Sequence, residues 1–282
     1  MTEIPVPRLS GALAESRVPL PGTTNVRDLA GYPARPGWMI GPRRLFRGEV
    51  LATDAAEFQG LWDEEHQSDF QDLGLRTVID LRAEHEVRRT QSVWHRATGA
   101  EVVALPIAEG GEGTDTNYIR KLLSGEMPRF EEAHMTQFYC DTLDRRATTF
   151  GAAVTVLADA RRLPALVHCS AGKDRTGLLI ALVLELIGTP RALVVEDYAL
   201  TGVLRPNRIA AYEALFTDAG VHPDAARVLF ETPAASMERA LAYLDDTYGS
   251  VADYLVTTGS LLPRTLDDLR RSLLIPTQTA TP

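Results

Sequence analysis

Cysteine is scarce in this chain of 282 residues, which contains only Cys140 and Cys169. Two cysteines cannot build the disulfide framework of a small secreted domain, and they cannot supply the cysteine-rich ligands of a structural zinc site. Their number fits a reducing compartment or a reactive thiol. Cys140 falls in a helix-like stretch, where a lone cysteine is ordinarily a small core residue.

An excess of basic residues is also absent, because the formal net charge is -9 and the pI is near 5.2. Proteins that bind nucleic acids usually carry a basic face that attracts phosphates without regard to sequence. The composition therefore argues against a nucleic-acid partner. Any site for an anion in this chain must be local.

The sequence has no long apolar run and no basic, apolar start of the kind that marks a secretory signal. Its longest apolar run, at 178–187, includes Glu185 and is about half of the roughly 20 residues needed to cross a bilayer. We predict no integral membrane segment and a cytoplasmic location. Export by a route that leaves no N-terminal signature is the open alternative.

No internal repeat divides the chain, and its length lies near the upper end for a single core. We predict one domain over residues 1–282, with an arm at 1–22. Short β-like runs alternate with helix-like stretches, which is typical of an α/β fold with a central, mostly parallel sheet flanked by helices. The predicted elements are strands at 45–47, 77–81, 101–105 and 165–167, helices at 54–74, 83–89 and 176–187, a loop at 109–116, two helices within 130–161, and four or five helices within 191–274.

The segment 163–188 carries the clearest functional pattern. A short apolar strand is followed by a turn of small residues at 168–173, and then by a helix that is apolar on nearly every side and stops at Gly188. Cys169 and Arg175 stand in this segment in the pattern Cys-x5-Arg. The strand, the turn and the helix together predict a site for an anion.

A loop between a strand and a helix N-terminus turns backbone N–H groups inward, and the helix dipole adds positive charge. We expect Ser170, Ala171 and Gly172 to bind phosphate in this way. The same field favours the thiolate of Cys169, which is a nucleophile, while Arg175 offers a planar fork for two phosphoryl oxygens. Phosphoryl transfer depends mainly on positioning and electrostatics, so no metal or other cofactor is required.

The run His168-Cys169-Ser170-Ala171-Gly172-Lys173-Asp174-Arg175-Thr176-Gly177 resembles the protein tyrosine phosphatase superfamily, and more narrowly its bacterial tyrosine/serine phosphatase branch. Two further elements of that branch occur in the expected order: an NxRDLxG element over residues 25–31 and a D-L-R element over 80–82. The resemblance implies hydrolysis of phosphotyrosine, with phosphoserine, phosphothreonine or phosphoinositides as further substrates, through a phosphocysteine. It also implies a pair of helices, within about 204–250, that could cover the site.

Two acids compete for the role of proton donor to the leaving group. The resembling myotubularin phosphatases also have Asp before the arginine, which favours Asp174. Asp80, at the end of a neighbouring predicted strand, is the alternative, as in phosphatases whose acid comes from a separate loop. The sequence favours Asp174 modestly.

Other residues near the loop have two interpretations each. His168 is either a core histidine or a group that orients the loop. Lys173 either is solvated or contacts a second negative group of the substrate. The Thr176 hydroxyl could assist the thiol as it leaves in the second step, whereas Asn25, Arg27 and Asp28 are expected to brace the N-terminal segment rather than to touch substrate.

Two other classes of protein use a similar loop. Arsenate reductases and sulfurtransferases also carry a cysteine in an anion loop, but they typically lack the GKDRTG ending or depend on further cysteines. A catalytically dead phosphate-binding module would have lost Cys169 or Arg175, and both are present. The predicted partner is thus a phosphorylated protein or a phosphoinositide, and the sequence specifies no oligomeric state.

Overall fold

A computed structural model of the chain describes residues 11–54, 60–108, 118–205 and 207–277. The predicted loop at 109–116 lies outside these residues. Within them, no helix combines the length and the apolar character that crossing a bilayer requires.

A five-stranded sheet forms the centre of the molecule, in the order β1-β3-β8-β6-β7. Only β1 runs antiparallel to its neighbour, and the other three pairings are parallel. The strands of this sheet are β1 Arg27–Asp28, β3 Leu45–Gly48, β6 Thr77–Asp80, β7 Glu101–Ala104 and β8 Ala165–His168. Two small pairs lie outside it: β2 Trp38–Ile40 with β9 Leu274–Pro276, and β4 Leu51–Ala52 with β5 Gly60–Leu61.

Twelve α-helices lie within the described residues, joined in places by short 3₁₀ turns. They are α1 Gly11–Glu15, α2 Gln67–Gln71, α3 Glu84–Arg89, α4 Trp94–Thr98, α5 Tyr118–Leu123, α6 Glu132–Ala158, α7 Asp174–Ile187, α8 Arg191–Leu204, α9 Glu213–Asp218, α10 Ala234–Tyr248, α11 Val251–Thr257 and α12 Pro263–Leu273.

Alternate side chains of the central strands enter two separate cores, one on each face of the sheet. Ile79 and Val167 face a large core with α6, α7, α8, α10 and α12, whereas Val78 and Leu166 face a smaller one with α2 and α4. This alternation follows from the two-residue period of a strand. The predicted α/β fold, with a mostly parallel sheet flanked by helices, is therefore confirmed.

The helix predicted at 54–74 is wrong from residue 60 onward, and its residues 55–59 lie outside the described residues. Gly60–Leu61 forms the short strand β5 beside β4, and the helical residues described after it are a 3₁₀ turn at Glu64–His66 followed by α2. The Asp63 side chain accepts a hydrogen bond from the Glu65 N–H and so starts the turn late. Gly74 does adopt the left-handed conformation predicted for the stop, with φ of 62°.

The two helices expected within 130–161 correspond to the two parts of α6, which meet at a kink where Arg146 leaves helical angles. Smaller predictions differ from the structure. His168 is the last residue of β8 rather than the start of the turn, and α7 begins at Asp174, two residues before the predicted Thr176. In the arm, the described residues from Gly11 onward lie against the domain, because Leu13 and Leu20 are buried.

Candidate active site

Residues 169–173 form a loop between β8 and α7, which is called the anion loop below. The Cys169 side chain is buried at its start. Every site residue predicted within 168–176 is therefore gathered at the carboxyl end of β8 and the first turn of α7. Asp80 ends the neighbouring strand β6 and is in register with His168, so the sheet brings it to the same edge.

The main-chain carbonyls of the anion loop point away from its centre, toward donors of the surrounding scaffold. The acceptor and donor pairs are Cys169 O with His168 Nδ1 at 2.9 Å, Ser170 O with Val50 N at 3.0 Å, Ala171 O and Gly172 O with Asn25 Nδ2 at 3.4 and 3.2 Å, and Gly172 O with Arg47 Nη2 at 2.9 Å. In a trans peptide the carbonyl and the following N–H point in opposite directions. The N–H groups of residues 170–173 thus face the inside of the loop, where they form an anion-binding nest.

Glycine is required at position 172. Its φ is 68°, and a Cβ built on it would lie 2.3 Å from the carbonyl oxygen of Gly48. A side chain would collide with the end of β3 and strain the backbone. The small residue that the sequence shows inside the loop therefore has a steric cause.

Glu86, on α3, binds the Arg175 guanidinium through both carboxylate oxygens. Arg175 Nη2 donates to Glu86 Oε1 at 2.7 Å, Nη1 donates to Oε2, and the Ser170 hydroxyl also donates to Oε1. Burial raises the pKa of Glu86, but the hydrogen bond and charge of Arg175, with the Ser170 bond, outweigh it and lower this pKa to about 2. Glu86 thus holds Arg175 and the loop in fixed relation.

Sequence reasoning missed Glu86. It stands in the first turn of α3, shortly after the D-L-R element at the end of β6. Because the carboxyl ends of parallel strands meet at one edge of a sheet, an acid at this place was a candidate partner for Arg175. That topological signal is weaker than a local motif.

Asp174, the first residue of α7, keeps part of its side chain exposed. The Tyr139 hydroxyl donates to Asp174 Oδ1 at 2.6 Å, and Lys173 Nζ lies 3.4 Å from the same oxygen. Asp174 Oδ2 has no protein hydrogen bond among those the structure describes. The carboxyl group is therefore held through one oxygen at the start of α7, directly after the anion loop.

Asp80 has a different environment. It accepts two hydrogen bonds from Arg82 Nε and one from Arg82 Nη2, and a further one from the Arg82 main-chain N–H. Burial raises the pKa of Asp80, but His168 and Arg82 more than compensate, and the net pKa is lowered. Both oxygens are thus used to fix Arg82 at the strand end, which is a bracing arrangement.

His168 is fully buried, and its Nδ1 lies 2.9 Å from the Cys169 carbonyl oxygen, which can only accept. Burial lowers the pKa of His168, although the charge of Asp80 acts in the opposite direction. Because a carbonyl oxygen carries no proton, Nδ1 is the donor of this hydrogen bond. His168 Nε2 lies 3.7 Å from Asp80 Oδ2. This geometry favours the second predicted interpretation, in which His168 orients the loop.

Lys173 is bound to the main chain of a later segment. Its Nζ donates to the carbonyl oxygens of Leu229 at 2.7 Å and Glu231 at 3.0 Å. These residues belong to a 3₁₀ turn, Arg227–Phe230, and the residue after it. Lys173 is therefore not solvated, and it ties the loop to the 227–231 segment. Its contact with a second negative group of the substrate stays a prediction.

The cover predicted at about 204–250 includes elements of two kinds. The 227–231 segment reaches Lys173, whereas α10 buries Met237, Leu241 and Leu244 in the large core against α6 and α8. A helix buried in this way is part of the domain's packing. A cover over Cys169 stays a prediction, and the segment that could form it precedes α10.

Thr176 lies in the first turn of α7, and its side chain is fully buried. Within the described residues, its hydroxyl makes no hydrogen bond to a protein atom. A buried hydroxyl without a protein partner is costly unless something else uses it. Its proposed role toward the Cys169 thiol stays a prediction.

Two buried arginines lie behind the anion loop. Arg47 Nη1 and Arg27 Nη2 both approach the carboxylate of Asp197 on α8, to which Tyr32 also donates at 3.0 Å. Burial and the charge of Arg47 lower the pKa of Arg27 to about 10, although Asp197 acts in the opposite direction. Arg47 connects this cluster to the loop through its bond to the Gly172 carbonyl.

The N-terminal element therefore does more than brace its own segment. The Asn25 amide holds two loop carbonyls and Arg27 reaches α8, whereas Asp28 accepts hydrogen bonds from the main-chain N–H groups of Ala30 and Arg43 in local turns. The prediction of a bracing role holds for Asp28. Asn25 and Arg27 instead support the candidate active site, through the anion loop and α8.

Cys140 lies on α6, outside the anion loop, and its side chain is partly exposed. Burial, with the charges of Asp144 and Asp141, raises the pKa of its thiol to about 11. Within the described residues, no group of three or more His, Cys, Asp or Glu side chains could hold a metal ion.

The chain was compared with known proteins. The model of the tyrosine phosphatase family matches residues 18–275. Triple specificity protein phosphatase PtpB of Mycobacterium tuberculosis is 30% identical over 290 residues, covering 90% of this chain and 98% of that protein. A putative tyrosine-protein phosphatase of Cupriavidus necator is 29% identical over 238 residues, covering 82% and 80%. Among solved structures, the core catalytic domain of the PP-IP phosphatase SIW14 of S. cerevisiae covers 71% of this chain and 97% of its own at 12% identity, with a TM-score of 0.32 that supports no inference.

Proposed function

The chain belongs to the tyrosine phosphatase family and is a phosphatase enzyme, and we propose that it hydrolyses phosphotyrosine in proteins through a covalent phosphocysteine on Cys169. Phosphoserine and phosphothreonine are proposed as further substrates of the same site. The observation that carries this proposal is the anion loop after Cys169, whose carbonyls are held outward by the scaffold so that the N–H groups of residues 170–173 turn inward.

In the first step, the Cys169 thiolate attacks phosphorus and forms the S–P bond. The bond between phosphorus and the ester oxygen breaks, and its electron pair goes to the leaving oxygen. Loop N–H groups and Arg175 stabilise the charge on the equatorial oxygens, where most of the transition-state charge lies. Glu86 contributes by fixing the guanidinium before the substrate arrives.

The leaving oxygen requires a proton, and we assign Asp174 as its donor. The Asp174 side chain is partly exposed, and one of its oxygens makes no hydrogen bond within the described residues. In contrast, both oxygens of Asp80 are bound to Arg82, and the lowered pKa of Asp80 disfavours its protonated form. In the second step, water attacks the phosphocysteine and gives its proton to the Asp174 carboxylate. The S–P bond then breaks and restores the thiolate, and we expect the Thr176 hydroxyl to stabilise it.

Phosphoinositide hydrolysis by the same mechanism is the second candidate, because the bacterial phosphatase branch that residues 168–177 resemble includes enzymes that act on phosphoinositides. Its structural requirement is a cation for a second phosphate, and Lys173 was the predicted one. Lys173 Nζ is bound to the Leu229 and Glu231 carbonyls, so such a contact requires the 227–231 segment to move. Phosphotyrosine needs no such movement and is the preferred substrate.

The two remote alternatives have less support. An arsenate reductase needs further thiols to relay electrons, and Cys140 has a pKa raised to about 11, which leaves it protonated at neutral pH. A dead phosphate-binding module would not need the nucleophile and the fixed arginine together. Both groups are present and are brought to one loop.

The test measures phosphate release from phosphotyrosine peptides, phosphoserine peptides and phosphoinositides by the wild type, Cys169→Ser and Cys140→Ser. We expect Cys169→Ser to lose activity on every substrate and Cys140→Ser to keep it, because only the first cysteine lies in the anion loop. Acid quenching during turnover should trap phosphate on the wild-type protein and on Cys140→Ser alone. Equal activity of Cys169→Ser and the wild type would end the phosphocysteine hypothesis.

A further inference from the structure

Two buried tyrosines connect the proposed proton donor to the interior of the protein. Tyr139 on α6 and Tyr198 on α8 are fully buried, and their hydroxyl oxygens are 2.6 Å apart. The Tyr139 hydroxyl is also 2.6 Å from Asp174 Oδ1. We propose that Tyr139, supported by Tyr198, is a positioning residue that fixes the Asp174 carboxyl group for proton transfer to the leaving oxygen.

The direction of this hydrogen-bonded chain follows from the number of protons. Burial raises the pKa of both tyrosines well above the usual value, and the charge of Asp174 raises it further, so both hydroxyls keep their protons. Asp174 Oδ1 accepts the single proton of Tyr139. The Tyr198 hydroxyl must therefore donate to the Tyr139 oxygen, and the order is Tyr198, Tyr139, Asp174.

Packing fixes the two rings in this arrangement. Their centroids are 5.8 Å apart and their planes are perpendicular, which is a favourable edge-to-face contact. The Tyr198 ring also touches the first turn of α7, because a Cβ built on Gly177 would lie 2.9 Å from Tyr198 Cδ2. Residue 177 is thus kept small where the ring meets the helix that carries Asp174.

The inference rests on the proposed role of Asp174 and adds what the tyrosines contribute to it. Asp174 gives its proton to the leaving oxygen while the P–O bond breaks, so its carboxyl group gains negative charge in the transition state. A hydrogen bond to a carboxylate is about twice as strong as one to a neutral carboxyl group. The bond from Tyr139 therefore strengthens as the proton departs, which is the condition for lowering the barrier.

A second consequence concerns orientation. Tyr139 occupies Oδ1, so the transferable proton belongs on Oδ2, the oxygen outside the described protein hydrogen bonds. Lys173 also lies beside Asp174, because its Nζ is 3.4 Å from Oδ1 and donates to the carbonyls of Leu229 and Glu231. Lys173 thus reinforces the choice of oxygen, because its charge is near Oδ1.

The experiment measures kcat/KM, which reports the steps up to the phosphocysteine, for a series of aryl and alkyl phosphates. Proton donation matters when the leaving oxygen is strongly basic, as in alkyl phosphates, and little when it is weakly basic, as in dinitrophenyl phosphate. For Tyr139→Phe we expect a loss of about tenfold on alkyl phosphates, part of the 10²–10⁴ that positioned proton transfer contributes. On dinitrophenyl phosphate the loss should be small.

Tyr254→Phe is the matched control, because Tyr254 is equally buried and its hydroxyl donates to the Leu143 carbonyl on the same helix α6, at 2.6 Å. A purely structural role predicts that both variants lose activity evenly across the series. An even loss in Tyr139→Phe, or no loss on alkyl phosphates, would overturn the inference. A steeper dependence on the leaving group in Tyr139→Phe alone would support it.

Asp174→Asn separates failure of this inference from failure of the proposed function. If kcat/KM of Asp174→Asn depends on the leaving group no more steeply than that of the wild type, the assignment of the acid is wrong. If the dependence is steeper, adding Tyr139→Phe should not steepen it further, because the tyrosine acts through the aspartate. A Tyr139 effect that persists in the Asp174→Asn background would refute the inference and leave the phosphatase mechanism intact.

Discussion

Replacing Glu86 with glutamine tests whether the site is held together by one ion pair. Glu86 binds both terminal nitrogens of Arg175 and the Ser170 hydroxyl, and only a fifth of its side chain is exposed, at 21%. Its pKa is lowered from the usual 4.5 to about 2. At 1.36 kcal/mol per pKa unit this shift corresponds to roughly 3 kcal/mol of folding free energy, or about 2–3 kcal/mol with solvent screening.

The pH dependence gives the prediction its sign. A carboxyl group whose folded pKa is lowered stabilises the protein fully above its unfolded pKa, and this contribution disappears as the pH falls through the folded pKa. The contribution of Glu86 is therefore complete above about pH 5.5 and declines between pH 4.5 and pH 2. At pH 3.5 the wild type should have lost about 1 kcal/mol of it.

Urea denaturation at pH 7 and pH 3.5 measures these quantities. Glu86→Gln should be less stable than the wild type by about 2–3 kcal/mol at pH 7, and this deficit should shrink by about 1 kcal/mol at pH 3.5. The control is Glu84→Gln on the same helix, because Glu84 pairs with Arg88 at 3.3 Å with both side chains largely exposed. Equal stability of the two variants at pH 7, or a deficit independent of pH, would refute the reasoning.

Three further predictions concern the frame of the site. Asp197→Asn leaves two buried arginines without their carboxylate and should cost about 3–5 kcal/mol, measured by thermal or urea unfolding; an unchanged midpoint would contradict this. Gly172→Ala places a Cβ against the Gly48 carbonyl and should abolish phosphate release while the far-UV spectrum stays folded, so retained activity would count against it. Lys173→Met removes both bonds to the 227–231 segment and should speed tryptic cleavage there, whereas unchanged cleavage would show that the lysine does not hold it.

The grouping of Cys169, Arg175 and the small loop residues could be predicted from sequence because it is local. These residues lie within one strand-turn-helix unit, and the helix dipole and loop geometry act over the same few residues. Their roles in catalysis stay predictions. Four of the five strands of the central sheet could also be predicted, since they are short apolar runs. The fifth, β1 at Arg27–Asp28, has no apolar run and was missed. The sequence did not predict the hydrogen-bond and ion-pair partners of the charged groups.

The partners are distant in the chain. Glu86 and Arg175 are 89 residues apart, Tyr139 and Asp174 are 35 apart, and Arg47 and Asp197 are 150 apart. No local period or motif joins residues at such separations, because the contact depends on how α3, α6 and α8 are placed around the sheet. The same reason explains Lys173, whose acceptors are carbonyls 56 and 58 residues away and carry no sequence signal.

The helix predicted at 54–74 is wrong from residue 60 onward because the chain there pairs with β4. The polar composition of this stretch allows helical spacing, but the Gly60 N–H donates to the Val50 carbonyl and the Trp62 N–H to the Ala52 carbonyl, which draws the chain alongside β4. A two-residue strand of this kind is stabilised by its neighbours rather than by its own residues. Propensity gives way to tertiary contacts there.

The outward-facing carbonyls of the anion loop also limit how the enzyme can discriminate between molecules. The loop's shape is set by scaffold donors, so any tetrahedral oxyanion of similar size, such as sulfate, arsenate or vanadate, meets the same N–H groups. Product phosphate fits the same N–H groups, so we expect it to inhibit the enzyme competitively. Selection among phosphorylated molecules must then come from the walls beyond the loop, and those walls are where inhibitors can gain selectivity over other phosphatases.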